Sequence, residues 1–219
     1  MRSGIVERAT DLRNRCSLRE RPDIGIFVLL GCLVVFAAAT QRAPNLNSDP
    51  RGTLLVSEML IQRGTIKLDG LGNAFLQELG WVIHQKNAHA YYFFPIGSAV
   101  IAAPFVGVAN AFGFDMRTSE SWMQIVLAAL CGIGILLVLW KTARLYLGPT
   151  ESVVLAGLGW FGTSYASSLG TALFSHNFAV LFASVAIFLA LLVSLKAGAQ
   201  YPELIGICLF LAYFCRPTM

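Results

Sequence analysis

Charge is scarce in this chain. Only 13% of its 219 residues are Asp, Glu, Lys or Arg, about half of the roughly 25% that a soluble domain carries. The missing charge is missing in blocks, as expected where the solvent is hydrocarbon, and 56% of the chain is hydrophobic. A polytopic membrane protein follows. Strong net charge is also lacking. The formal +4 comes mostly from arginines ahead of the first apolar run (Arg2, Arg8, Arg13, Arg15, Arg19 and Arg21), which read as an orientation signal; nucleic acid is excluded as a partner. The five cysteines avoid the long polar stretch 41–121, so no disulfide framework is implied. The serine-hydrolase elbow, the Walker phosphate loop, the H-E-x-x-H zinc helix and C-x-x-C are all absent, which removes the usual soluble-enzyme chemistries. There is no internal repeat, no low-complexity tract and no soluble domain.

What is there is a series of apolar blocks at about 24–40, 122–140, 152–169, 178–195 and 203–219. The first, at about 17 residues, just suffices to span a bilayer. The positive-inside rule puts residues 1–23 in the cytoplasm and the loop 41–121 outside. Residues 95–112 are apolar too, but carry Pro95, Pro104, Gly97 and Gly107. If they spanned, Lys141, Arg144 and Lys196 would all fall outside, against the rule. They are therefore read as a surface helix. The expected fold class is all-α: a transmembrane bundle with two juxtamembrane helices, about 50–63 and 95–112, in the first outer loop. The close at C-R-P-T-M suggests the N-terminal part of a longer chain.

Most candidates for chemistry lie in that loop. Asp49 follows the first span closely. A carboxylate there suits a general base for an acceptor hydroxyl, and it equally suits an N-cap for a helix starting at Pro50 and stopping at Gly64. On that helix Arg51, Glu58 and Gln62 fall in one polar stripe. Arg51 is the best placed of the loop cations Arg51, Arg63, Lys67 and Lys86 to meet a phosphate; the plainer role of each is headgroup contact. His176, in L-F-S-H-N-F, suits a phosphate or sugar contact or an interfacial position. Arg216, ending an apolar run, needs a partner or a cavity. Tyr91 and Tyr92, with Phe93 and Phe94, read as an aromatic interface belt. The stretch 65–89 reads as irregular loop. Its His84, His89, Asp69 and Glu78 match no metal-ligand spacing, so no metal site is assigned.

The order of these features resembles the GT-C superfamily of polyprenyl-phosphate-dependent glycosyltransferases, and within it the protein O-mannosyltransferases and lipid A aminoarabinose transferases. The resemblance runs from Ile24 to Met219. It is carried by N-S-D-P-R-G, R-G-T-I-K-L-D, Y-Y-F-F-P-I-G, A-P-F-V-G, F-G-F-D-M, W-F-G-T-S-Y-A, S-H-N-F-A and C-R-P-T. It implies a lipid-phosphate sugar donor, inversion at the anomeric carbon and an aspartate base at Asp49. It also implies cationic or histidine contacts to the donor phosphate, for which Arg51, His176 and Arg216 are the candidates, with Glu58 and Gln62 supporting. The implied partners are the lipid-linked donor, membrane lipids and an acceptor that is a glycan, a lipid or a protein. The implied place is a multi-pass cell membrane, plasma or inner, with an extracytoplasmic site. No cofactor is fixed by these residues; a divalent cation is the one candidate. One departure is F-F-P-I-G where many relatives carry a basic residue and paired prolines. The alternatives are a non-catalytic membrane module and, less suited because its ionisable groups collect in a loop, a small transporter.

Overall fold

The computed structural model describes residues 21–40, 49–170, 172–195 and 201–217; the arginine-rich lead up to Arg19, and Lys196, lie outside them. The chain is mostly helical. Helix α1 spans Arg21–Ala39, α2 Thr53–Arg63, α3 Asn73–Leu79, α4 Gly97–Ala111, α5 Met116–Ala143, α6 Pro149–Phe161, α7 Tyr165–Ser168, α8 Ser175–Leu195 and α9 Pro202–Cys215. Among the described residues two helices, α5 and α8, are long and apolar enough to cross a membrane. Apolar side chains stay exposed along other helices as well, Phe36 at 66% and Phe210 at 63%. A surface of that kind calls for a covering other than water.

Two hydrophobic cores hold the elements together. One gathers Leu54, Leu55 and Met59 of α2 with Ala99 and Val106 of α4, Leu127 of α5, Phe178 of α8 and Leu68, Leu79 and Val82 between α2 and the strands. The other packs Val34 of α1, Ile135 and Leu136 of α5 and Ala156 and Trp160 of α6 around Leu169. Helix α5 runs through both, which is why its polar first turns sit beside α2 and its apolar remainder beside α1 and α6.

The structure departs from the sequence reading in three places. Helix α2 begins at Thr53 rather than residue 50, because Gly52 adopts a left-handed φ of 89° and the preceding residues form a turn closed by Thr53 N–H on the Pro50 carbonyl. Its far end is as expected: Gly64, also left-handed, donates its N–H to the Leu60 carbonyl. Residues 65–92 are ordered, not irregular. They hold α3, short 3-10 turns at Asp69–Leu71 and Gly80–Val82, and an antiparallel hairpin of β1 (Ile83–Lys86) and β2 (His89–Tyr92). The mostly helical chain agrees with the all-α expectation, with this one short hairpin added to it. Its turn has positive φ at both Asn87 and Ala88, the two-residue geometry that usually recruits glycine. Lastly, the block 152–169 is not one helix. Helix α6 has 13 residues, about 20 Å at 1.5 Å per residue against a hydrocarbon core of about 30 Å. It stops where Thr163 Oγ1 turns back on the Gly159 carbonyl at 2.7 Å and takes the Tyr165 N–H at 3.3 Å.

Candidate active site

The segment D-P-R-G, residues 49–52, is held from all sides before its side chains act. Glu120, in the first turns of α5 and 9% exposed, accepts the N–H of Gly52 at 2.9 Å and of Leu54 at 3.2 Å on one oxygen. It thereby supplies the N-cap that α2 does not have from its own sequence. One turn further on, Gln124 Nε2 donates to the Pro50 carbonyl at 2.6 Å. From the hairpin, the Tyr92 hydroxyl donates to the Asp49 carbonyl and lies 2.7 Å from Thr53 Oγ1. Tyr92 is consequently buried, and burial raises its phenol far above the ordinary range. An added Cβ at Gly52 would meet the Tyr92 ring at 3.4 Å, an ordinary van der Waals contact; it is the φ of 89° that asks for glycine here.

With the backbone fixed, the Asp49 carboxylate reaches across the chain. Its Oδ2 accepts the N–H of Ser175, 126 residues away, at 2.8 Å. Asp49 therefore caps a helix, as one sequence reading held, but α8 rather than α2. The next residue is His176, stacked on Phe174 with ring centroids 5.0 Å apart. Its Nδ1 lies 3.1 Å from Arg216 Nη1. A guanidinium only donates, so Nδ1 is the acceptor and the ring proton sits on Nε2. Arg216 is placed by the end of α9, whose Phe214 carbonyl passes so close to Gly97 that an added Cβ would stand 2.3 Å from it. Ser98 completes the contact, donating to the Ser175 carbonyl at 3.3 Å.

Asp49, His176 and Arg216 are thus brought together, each half-buried. The meeting also fixes topology: the chain after α1, the starts of α5 and α8 and the end of α9 share one end of the molecule. Gly97→Ala should force α4 and α9 apart, costing about 1–3 kcal/mol as overpacking does. Thermal unfolding of the solubilised chain measures it.

Arg51 stands apart from this group. Its half-buried side chain lies 3.8 Å from the exposed Glu78, and the expected stripe with Glu58 and Gln62 is not formed. The reason is the late start of α2, which leaves Arg51 off the helix. Glu58 and Gln62 instead face the α4–α5 connection, where they line a cavity of about 330 Å³ with Asn110, Asp115 and Arg117. Glu58 is buried at 2% exposure and accepts the Met116 N–H at 3.2 Å. Burial pushes its carboxyl above the ordinary range, against the opposing pull of that hydrogen bond. Tyr91 and Tyr92 occupy successive positions of β2 and so point to opposite faces: Tyr91 is half-exposed beside His89, while Tyr92 is turned inward.

Glu120 and Gln124 were missed by sequence reasoning. The available signal was an acid and an amide one turn apart at the start of a long apolar helix, where polar groups need partners. Comparison with family models, with curated proteins and with solved structures finds no match.

Proposed function

We propose that this chain is an inverting membrane glycosyltransferase of the GT-C type. It moves a sugar from a polyprenyl phosphate to an acceptor hydroxyl on the extracytoplasmic side. In this reading α1, α5, α8 and α9 cross the membrane with the segment of α6 and α7, while α2 and α4 lie along its outer face. One observation supports it: Asp49, His176 and Arg216, remote in sequence, meet at the end where four apolar segments start or stop.

The chemistry follows from what each group has left to give. Asp49 spends Oδ2 on Ser175, leaving Oδ1 to take the proton of the acceptor hydroxyl. The acceptor oxygen then bonds to the anomeric carbon as the carbon–oxygen bond to the phosphate breaks, and a single displacement inverts the centre. The electron pair leaves on the lipid phosphate. Arg216, permanently cationic, and the Nε2–H of His176 stabilise that charge. Among the described residues no set of three His, Cys, Asp or Glu side chains is gathered, and no step here is routed through a divalent cation.

The test is transfer itself. Membranes carrying the chain, supplied with polyprenyl-phosphate-linked sugar and acceptor, should release polyprenyl phosphate and form product of inverted configuration. Arg216→Ala should cut the rate, and Arg216→Lys should restore part of it. Transfer indifferent to Arg216 overturns the assignment.

A second reading, a non-catalytic membrane module, has one observation in its favour. Asp49, His176 and Arg216 line none of the polar cavities at the hairpin, at Glu58 or beside Tyr92. On that reading the same contacts only tie helix ends together, and chain-dependent transfer is absent.

A further inference from the structure

The hairpin carries a second polar centre that the transfer chemistry does not use. Asp69, in the turn after α2, has both oxygens engaged: Oδ1 accepts the Ala90 N–H at 2.7 Å and Oδ2 lies 2.6 Å from His89 Nδ1. The Ala90 bond first, then His89, hold its carboxyl below the ordinary range. Across the imidazole, Lys67 Nζ is 3.1 Å from Nε2. An ammonium only donates, so Nε2 accepts and the ring proton sits on Nδ1, facing Asp69. The three side chains lock one another in place.

Beside them opens a cavity of about 600 Å³, a size typical of small-molecule sites. Asp69 and His89 stand on its wall with the amides Asn73, Gln77 and Gln85, and Leu76 contributes an apolar patch. An anion would meet the Asp69 carboxylate with no arginine or lysine on the wall to offset it. A metal ion would have to break the bonds that already engage both His89 nitrogens and both Asp69 oxygens, and the described residues gather no set of three His, Cys, Asp or Glu side chains. A purely apolar ligand would strip water from the amides and give nothing back. Hydroxyl groups are different. Each is donor and acceptor at once, as each amide is, and Leu76 offers a surface for the C–H face of a sugar ring.

We propose that this cavity binds a neutral saccharide, with Asn73, Gln77, Gln85 and Asp69 as the hydrogen-bonding partners of its hydroxyls. Strand β2 connects it to the candidate base: three residues after His89, Tyr92 holds the Asp49 carbonyl, a run of about 10 Å at 3.3 Å per residue. If the transfer reading holds, the cavity is a subsite for a glycan acceptor. Saccharide binding itself does not rest on that reading.

The experiment uses the full chain in detergent, with maltose, cellobiose and mannobiose as neutral probes and inorganic phosphate and glucuronate as anionic ones. Saturation-transfer NMR detects contact, and the fluorescence of Trp81, next to cavity residue Gly80, follows titration. At least one neutral disaccharide should bind saturably. Asn73→Ala and Gln77→Ala, both exposed on α3 and so compatible with folding, should together weaken it by about tenfold or more. Asp49→Asn should leave binding unchanged, so failure of the transfer reading would not be mistaken for failure here. Silence from all three disaccharides up to about 10 mM, binding indifferent to the α3 pair, or saturable binding of phosphate instead would each overturn the proposal.

Discussion

On the proposed transfer chemistry, Asp49→Asn should leave the chain folded and lower sugar transfer by about 10²- to 10⁴-fold, the range a positioned general base contributes. The separation of the two effects comes from the contacts. Asparagine keeps a carbonyl oxygen where Oδ2 now receives the Ser175 N–H, so the cap on α8 survives. The backbone around the residue is held by Glu120, Gln124 and Tyr92, none of which contacts the Asp49 side chain. What asparagine lacks is a basic oxygen able to take the acceptor proton. The melting temperature of the solubilised variant should therefore match that of the parent while the rate collapses. Asp49→Glu sharpens the point: it keeps the charge but displaces the oxygens by one methylene, and misplacement on that scale is itself costly to rate. Transfer at the parental rate in Asp49→Asn removes the base assignment and leaves Asp49 as a structural cap.

The features legible from residue order were those that local chemistry decides. The apolar blocks 122–140 and 178–195 fall inside α5 and α8, because an apolar run of that length with no proline inside it favours one long helix. Gly64 stops α2 because only the left-handed conformation seen there closes that turn. The start of α2 was not legible. A serine-aspartate-proline sequence is a good local cap signal, yet Glu120, 66 residues from Leu54, does the capping. No window on the sequence contains that pairing. The same long-range contact strands Arg51 off the helix and dissolves its expected stripe with Glu58. The hairpin was hidden for a different reason: Asn87 and Ala88 adopt positive φ without the glycine that would have announced it. Asp49, His176 and Arg216 each stand out in the sequence as ionisable groups at the ends of apolar segments. Their proximity depended on helix packing that no periodicity encodes, above all the close pass of α9 over Gly97.

Glu120→Ala should be strongly destabilising. One oxygen serves the N–H groups of Gly52 and Leu54, both residues buried, and alanine leaves those donors without an acceptor. Each stranded buried donor costs about 1–3 kcal/mol, and the vacated side-chain volume adds a cavity term. A loss of about 3–5 kcal/mol follows, a large share of the 5–15 kcal/mol that holds typical proteins folded. Glu120→Gln is the informative control, because its amide oxygen can still receive both N–H groups; it should cost about 1 kcal/mol or less. Thermal unfolding of the two variants in the same detergent measures the difference. Equal melting temperatures would mean that the start of α2 finds other acceptors, and the account of a helix capped from α5 would fall. If the difference is as large as expected, the Ala variant should also lose the Asp49–Ser175 contact, because the segment that aims the carboxylate is the one Glu120 holds still.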